Sequence, residues 1–183
     1  MYLVITGNPG VGKHTVAKIL AKKFNYEIFD INKIALKSLN IKKKSGTIDI
    51  DAKKLKTVIK KRLTKKSLIV GHLAPYVLTK SQVKAVIVLR KNPYNLISIY
   101  KERKYTRQKM IENLDSEILG VIAYDSIKKF GENKVYQIDT TKKLPAAIVK
   151  KIQSIFENNF KRDSVDWLTL VVNKNDLKKF FTY

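Results

Sequence analysis

The 183-residue chain has no cysteine, only two histidines, and 15 acidic side chains against 38 basic ones. The absence of cysteine excludes disulfides, thiolate nucleophiles and cysteine-based zinc sites, and two histidines are too few for a histidine metal cage. No run of residues approaches the roughly 18 apolar positions of a membrane span, and residues 1–6 lack the features of a secretory signal. We therefore expect a cytoplasmic protein without a membrane partner, in which any metal is held by oxygen ligands.

The net charge is +23, a large surplus for a chain whose length suits one domain. Such a surplus is typical of surfaces that bind polyanions, which makes RNA or a ribonucleoprotein a candidate partner. The alternative is a lysine-rich surface of the thermophilic kind, although thermophilic proteins usually raise glutamate together with lysine.

Short blocks rich in Ile and Val alternate with helical patterns along the chain. Each block is too short for a helix and predicts a buried strand. The strands are predicted at residues 2–6, 27–29, 68–70, 85–89 and 135–138, and the helices at residues 13–24, 33–39, 51–63, 93–103, 108–129 and 145–160. This order predicts an α/β fold with a mainly parallel sheet and helices on both faces.

A glycine-rich turn lies between the first strand and the first helix. Its sequence, GNPGVGK at residues 7–13, fits the phosphate-loop pattern G-x-x-x-x-G-K. In such loops the backbone amides and the amino end of the helix face phosphate oxygens, while the lysine reaches the β- and γ-phosphates of ATP. We therefore predict ATP contacts at Gly10, Val11, Gly12 and Lys13.

The next position departs from this pattern, because His14 stands where Ser or Thr usually binds Mg²⁺. An imidazole is a poor ligand for Mg²⁺, which prefers oxygen. The backbone N–H of His14 can still bind a phosphate, and the hydroxyl of Thr15 is a candidate for a phosphate or metal contact.

Arginine is rare in this lysine-rich sequence, and Arg90, Arg103 and Arg107 fall in one stretch. Arg90 follows a predicted strand, at the sheet edge where α/β proteins bind ligands, so it is a candidate for the acceptor phosphate. Arg103 and Arg107 flank a charged segment and are candidates for the ATP phosphates, since a guanidinium suits bidentate phosphate binding. The alternative for each arginine is a position on a solvated face.

Two further side chains are expected at the same edge of the sheet. Asp30 ends the second strand and is either a ligand of the acceptor nucleotide or Mg²⁺, or the amino-terminal cap of the next helix. His72 follows the third strand, in which Val70 replaces the metal-orienting acid of many P-loop enzymes. His72 is therefore either a hydrogen-bonding group of the catalytic site or a histidine packed in a loop.

Polar segments and the tail complete the predicted organisation. Residues 41–51 predict a mobile flap, with Asp51 as the cap of the helix after it, and residues 101–108 predict a lid between two helices. The tail, residues 161–183, contains the only tryptophan, Trp167. The tail is either an extension packed on the domain or a docking segment with exposed aromatic side chains.

These motifs resemble the adenylate kinase isoenzyme six family, also described as coilin-interacting nuclear ATPases and ribosome-assembly kinases, in its archaeal form. The similarity spans about residues 1–160. It is carried by GNPGVGK at 7–13, IVGHL at 69–73, VLR at 88–90, ERKY at 102–105 and ENLDSEIL at 112–119. The last two segments are the most specific, because other P-loop proteins lack them. Val70 in place of an acid and His14 in place of Thr depart from the family, and both concern Mg²⁺.

The resemblance implies a three-layer P-loop NTPase fold with a five-stranded sheet, an NMP-binding flap near residues 29–52 and a lid near residues 102–112. It implies ATP contacts at Gly10, Gly12, Lys13, His14, Thr15 and Arg103. It also implies phosphorylation of AMP or related monophosphates, ATP hydrolysis, and assistance to small ribosomal subunit maturation through ribosomal protein uS11.

Together these features predict a nucleoside-monophosphate kinase that uses ATP and Mg²⁺ and acts by positioning and charge neutralisation. The expected catalytic groups are Lys13, Arg103, His72 and Arg90, with Asp30 and Arg90 at the acceptor, in a chain that we expect to be a monomer. One alternative is an ATP-switched assembly factor docked on pre-rRNA or a ribosomal protein. Another is a P-loop kinase for a different small molecule.

Overall fold

The computed structural model describes residues 1–38, 52–157, 159–160 and 163–181. In these residues five strands form one sheet in the order β2-β3-β1-β4-β5, and every pairing is parallel. The strands are β1 (Tyr2–Thr6), β2 (Glu27–Asp30), β3 (Ser67–Val70), β4 (Val83–Arg90) and β5 (Val135–Asp139). The predicted α/β class and parallel sheet are confirmed.

Helices connect the strands and cover both faces of the sheet. They are α1 (Lys13–Phe24), α2 (Ile31–Ser38), α3 (Ala52–Arg62), α4 (Ala74–Val77), α5 (Pro93–Glu102), α6 (Arg107–Ile118), α7 (Val121–Phe130), α8 (Pro145–Phe156), α9 (Trp167–Asn173) and α10 (Leu177–Phe180). Because successive side chains of a strand point to opposite faces, each strand supplies two cores. Ile5 packs in the layer that contains α1, α5, α6 and α8, whereas Val4 packs in the layer that contains α2, α3, α4 and α7.

The tail packs on the first of these layers. Val171 of α9 and Phe180 of α10 are buried in that core, and Trp167 and Phe181 pack against it. Asp163 accepts hydrogen bonds from the backbone N–H of Asp139 and from Lys143 Nζ, both at 3.0 Å. The tail therefore adds side chains to the core at the carboxyl end of β5.

The single helix predicted over residues 108–129 is wrong, because α6 and α7 are separate helices. Gly120 lies between them with φ 67°, in the left-handed region that ends a helix. The apolar pattern continues across this break, so periodicity alone did not reveal it. The last predicted helix is also shorter than expected and ends at Phe156, and Arg103 follows α5 instead of lying within it.

The predicted flap cannot be compared with the structure over most of its length. Most of the predicted flap, including residues 41–51 and the predicted cap Asp51, lies outside the described residues. Across the part of the chain that the structure describes, no helix combines the length and apolar character required to cross a membrane.

The turn at Gly120 generates a stability prediction. A Cβ at this position would lie 3.2 Å from Arg90 Nη1 on a backbone with positive φ. We expect Gly120→Ala to lower the free energy of unfolding by about 1–2 kcal/mol, measured by urea denaturation. Lys129→Ala, on the exposed face of α7, is the control and should change it by less than about 0.5 kcal/mol. A Gly120→Ala protein as stable as the parent would contradict the positive φ and the close contact at this position.

Candidate functional site

The phosphate loop connects β1 to α1 at the carboxyl edge of the sheet. Gly7 has φ 136°, and a Cβ there would lie only 2.3 Å from the carbonyl oxygen of Leu89. Gly12 precedes α1 with φ 93°, which L residues rarely adopt. The loop can therefore form this turn only because glycine occupies these positions.

Side chains from distant elements hold the backbone of the loop. The hydroxyl of Tyr100 in α5 donates to the carbonyl of Pro9 at 2.8 Å, and the hydroxyl of Thr140 donates to the carbonyl of Val11 at 3.1 Å. The side chain of Val11 is buried in the core, so only its backbone is available to a ligand. Hydrogen bonds to these two carbonyl groups restrict the conformations that the loop can adopt.

Lys13 is the charged centre of the loop. Its side chain is buried, with 6% of the residue exposed, and Nζ donates to the carbonyl of Asn8 at 3.1 Å. Burial, followed by the positive charge of Arg103, lowers the pKa of Lys13 to about 8, against the opposing effect of Asp30 and Glu117. A bound phosphate would place a stabilising negative charge beside this ammonium group.

A pocket of about 260 Å³ lies beside this lysine. Its lining residues are Pro9, Gly10, Gly12, Lys13, His14, Thr15, Asn32, His72, Arg103 and Tyr105. The pocket thus brings together most of the ATP contacts that the sequence predicts, with Arg103 from the segment after α5 opposite the loop. Sequence reasoning missed Asn32 and Tyr105, although Tyr105 belongs to the ERKY segment.

Tyr105 is fixed beside the pocket by its neighbours. Its ring stacks on Tyr100 with centroids 5.3 Å apart, and Lys104 before it has φ 52°. Because Tyr100 also holds Pro9, the same aromatic pair connects the segment carrying Arg103 to the phosphate loop.

Asp30 has one of the two roles that the sequence left open, that of the cap of the next helix. Its Oδ1 accepts from the backbone N–H of Lys33 at 3.0 Å, so it caps α2. Its Oδ2 lies 2.8 Å from Nε2 of His14 at the pocket edge. In the sheet Asp30 pairs with Val70, so the carboxylate missing from β3 is present on the adjacent strand.

The oxygen atoms near the pocket fit Mg²⁺. Asp30 offers a carboxylate, Thr15 an exposed hydroxyl, and Oδ1 of Asn32 is buried without a hydrogen-bond partner. The described residues contain no group of three His, Asp or Glu side chains that could hold a metal alone. This set suits Mg²⁺, which usually takes one or two protein carboxylates and completes its coordination with phosphate oxygens and water.

His72 lies in the same pocket as a neutral imidazole. Its Nδ1 lies 2.8 Å from Nδ2 of Asn32, and because an amide nitrogen donates, Nδ1 accepts and the proton resides on Nε2. Burial, followed by the positive charge of Lys13, lowers the pKa of His72 to about 4. His72 can therefore donate a hydrogen bond at neutral pH without adding charge.

A second cavity of about 180 Å³ adjoins the first. It is lined by Asn8, Pro9, His72, Tyr76, Glu112, Asn113, Ser116, Val121 and Ile122. Pro9 and His72 line both spaces, so the two spaces meet at these two residues. Glu112, Asn113 and Ser116 belong to the ENLDSEIL segment, which is the sequence signal that could have indicated them.

Arg90 does not line either space, so the structure does not bring it together with the other predicted site residues. Its guanidinium is buried, with Nε donating to Glu117 Oε1 at 2.8 Å, Nη1 to Gln137 Oε1 at 2.7 Å and Nη2 to the carbonyl of Glu117 at 2.6 Å. Each of the three guanidinium nitrogens therefore has a hydrogen-bond partner within the protein. Arg107 begins α6 with an exposed side chain and does not line the phosphate pocket.

Glu117 is a buried acid that is not among the predicted site residues. It is fully buried in α6, and its two carboxylate oxygens accept four hydrogen bonds. The donors are Asn8 Nδ2 at 2.8 Å, Arg90 Nε at 2.8 Å, the backbone N–H of Lys91 at 3.0 Å and Trp167 Nε1 at 3.1 Å. The carboxylate therefore joins the phosphate loop, β4, α6 and the tail.

Known proteins are similar to this chain in sequence. The profile of a family described as "AAA domain" matches residues 3–120. A protein of Thermococcus kodakarensis named "Putative adenylate kinase" is 34% identical over 170 residues, which cover 91% of this chain and 93% of that protein. A protein of Pyrococcus abyssi with the same name is 32% identical over 170 residues, covering 91% of each.

Two solved kinases have the same architecture. Shikimate kinase from Acinetobacter baumannii superposes with a TM-score of 0.60 at 20% identity, covering 87% of this chain and 95% of the other. A gluconokinase from Sinorhizobium meliloti superposes with a TM-score of 0.56 at 16% identity, covering 86% and 91%. The predicted three-layer P-loop fold is confirmed by these similarities.

The environment of His72 predicts a pH-dependent stability. The unfolded chain takes up the proton near pH 6.5, whereas the folded protein takes it up only near pH 4. Protonation therefore favours unfolding, and as pH falls from 6.5 to 4 the stability contributed by neutral His72 is lost. We expect the parent to lose up to about 3 kcal/mol relative to His72→Asn across this range, measured by urea unfolding at each pH. If the free energy of unfolding changes with pH in the same way in both proteins, a buried neutral His72 is contradicted.

Proposed function

The chain belongs to the AAA-domain family and is related to archaeal proteins named "Putative adenylate kinase", and we propose that it is a nucleoside-monophosphate kinase. It transfers the γ-phosphoryl group of ATP to AMP or a related monophosphate. The observation that carries the proposal is the pocket lined by the glycine loop with its buried lysine, by an arginine and by a neutral histidine.

The phosphates of ATP occupy this pocket in our proposal. Backbone amides of the loop and the amino end of α1 bind phosphate oxygens, and Lys13 contacts the β- and γ-phosphates. Arg103 neutralises the negative charge that is shared between the leaving and attacking oxygens during transfer. The pKa of about 8 leaves Lys13 charged at neutral pH, as this role requires.

Mg²⁺ bound near Asp30, Thr15 and Asn32 would supply charge neutralisation on the β- and γ-phosphates. Asp30 is oriented for this by its two fixed oxygens, one on the amino end of α2 and one on His14. His14 contributes its backbone N–H to the phosphates and its ring to holding Asp30.

The acceptor occupies the second cavity, with its phosphate at the boundary formed by Pro9 and His72. The described lining of this cavity contains no lysine or arginine, so it suits the uncharged nucleoside, while the acceptor phosphate lies towards Lys13 and Arg103. An oxygen of the acceptor phosphate attacks the γ-phosphorus, a new P–O bond forms, and the bond to the leaving ADP oxygen breaks. His72 donates from Nε2 to an oxygen at this boundary.

We further propose that the protein hydrolyses ATP and acts in maturation of the small ribosomal subunit in the cytoplasm. The net charge of +23 supports a partner rich in phosphate, such as pre-rRNA. Ribosomal protein uS11 is the protein partner that the resemblance implies. An ATP-switched assembly factor with little kinase activity is the second candidate function, and the same charge supports it.

Steady-state turnover with and without AMP separates the two functions. We expect AMP to raise ADP formation at least about tenfold above hydrolysis alone, and Lys13→Ala to lower kcat/KM about 10²- to 10³-fold. If ATP is hydrolysed but AMP has no effect, the assembly factor is favoured. Failure of the protein to bind ATP with Mg²⁺, or equal binding after Lys13→Ala, would overturn the assignment.

Arg103 and Arg107 form a matched pair for a second test. Lysine keeps the charge but loses the planar fork, so Arg103→Lys should lower the single-turnover rate about 10²-fold. Arg107→Lys, outside the pocket, should lower it less than about threefold. Equal effects of the two substitutions would show that Arg103 has no special contact with the transferred group.

A further inference from the structure

We propose that Trp167 and Glu117 are positioning residues for the phosphate loop. They fix the side chain of Asn8, the second residue of the loop, and so connect helix α9 of the tail to ATP binding. The inference rests on the proposed ATP site and adds the residues that hold its loop in place.

The carboxylate of Glu117 connects Trp167 to Asn8. Its Oε1 accepts from Arg90, from the backbone of Lys91 and from the indole N–H of Trp167, while its Oε2 accepts from Asn8. Because the side chain is fully buried, water cannot replace a donor that is removed. Loss of the indole N–H would therefore shift the carboxylate towards its remaining donors.

The side-chain amide of Asn8 is held at both ends by successive residues of α6. Its Nδ2 donates to Glu117 at 2.8 Å, and its Oδ1 accepts from the hydroxyl of Ser116 at 3.0 Å. The backbone carbonyl of the same residue accepts from Lys13 Nζ at 3.1 Å. A change in the position of Asn8 is therefore transmitted to the lysine that binds the phosphates.

Trp167 is fixed because the tail packs on the domain. Asp166 caps α9 through a hydrogen bond from the backbone N–H of Thr169 at 3.0 Å. Val171 is buried, and the hydroxyl of Tyr94 in α5 donates to Asp176 at 2.6 Å. The indole thus reaches Glu117 from a helix that is itself anchored on the domain.

A purely structural Trp167 would give a different result from a positioning one. If the indole only fills space in the core, its substitution weakens the fold whatever residue stands at position 8. If it acts through Glu117 and Asn8, its effect on ATP affinity disappears once the amide of Asn8 is removed. A double-mutant cycle measures this difference.

The experiment is ATP titration calorimetry on the full chain with Trp167→Phe, Asn8→Ala, and both together. Trp167→Phe keeps most of the ring but removes the N–H donor. We expect it to weaken ATP binding about 3- to 10-fold in the parent and less than about 2-fold in the Asn8→Ala background. Val172→Ala, on the exposed face of the same helix, is the matched control and should leave the affinity unchanged in both backgrounds.

Equal weakening by Trp167→Phe in both backgrounds would overturn the inference, as would the absence of any effect in the parent. A second measurement needs no variant, because Trp167 is the only tryptophan of the chain. Saturation with ATP should change its fluorescence emission, and unchanged emission would also overturn the inference. ATP binding by the parent tests the proposed function separately, since that function can stand when Trp167 proves irrelevant.

Discussion

The buried carboxylate of Glu117 is the interaction on which the arrangement of the site depends. A charge without access to water is tolerated only when it is fully paired, and removing one partner of such a pair is far more costly than losing a surface ion pair. Here Arg90 supplies the opposite charge, and the remaining hydrogen bonds come from the loop, the backbone after β4 and the tail. Burial of one acid therefore forces four separate parts of the chain into a single geometry.

The phosphate site shows the opposite balance of charge. Lys13 and Arg103 are close enough for each to oppose the charge of the other, and Asp30 and Glu117 do not outweigh burial at the lysine. Positive charge gathered in this way disfavours the empty site and favours a bound polyanion. The neutral His72 between the two cavities adds a hydrogen-bond donor without increasing this repulsion.

Much of this molecule could be predicted from local sequence, but pairings between distant residues could not. The strands and the phosphate loop followed from Ile/Val-rich blocks and from glycine spacing, because these signals act over a few residues. Arg90 and Arg103 are both predicted from the sequence to bind phosphate, because arginine is rare in this chain and both lie in one stretch. Only the structure shows that Arg90 meets Glu117, 27 positions along the chain, whereas Arg103 faces the pocket. The break at Gly120 escaped prediction for a related reason, because both helices share one apolar pattern.

The two departures from the P-loop pattern, His14 and Val70, form a connected change in the site. Asp30 pairs with Val70 in the parallel sheet, and neighbouring strands lie about 4.8 Å apart, so a carboxylate on β2 occupies nearly the place where β3 would present one. His14 lies 2.8 Å from that carboxylate and holds one oxygen, while the amino end of α2 holds the other. A threonine at position 14 would be too short to make the same contact. The histidine is thus explained by the position of the acid, and Asp30 on the adjacent strand places a carboxylate beside the position where β3 has Val70.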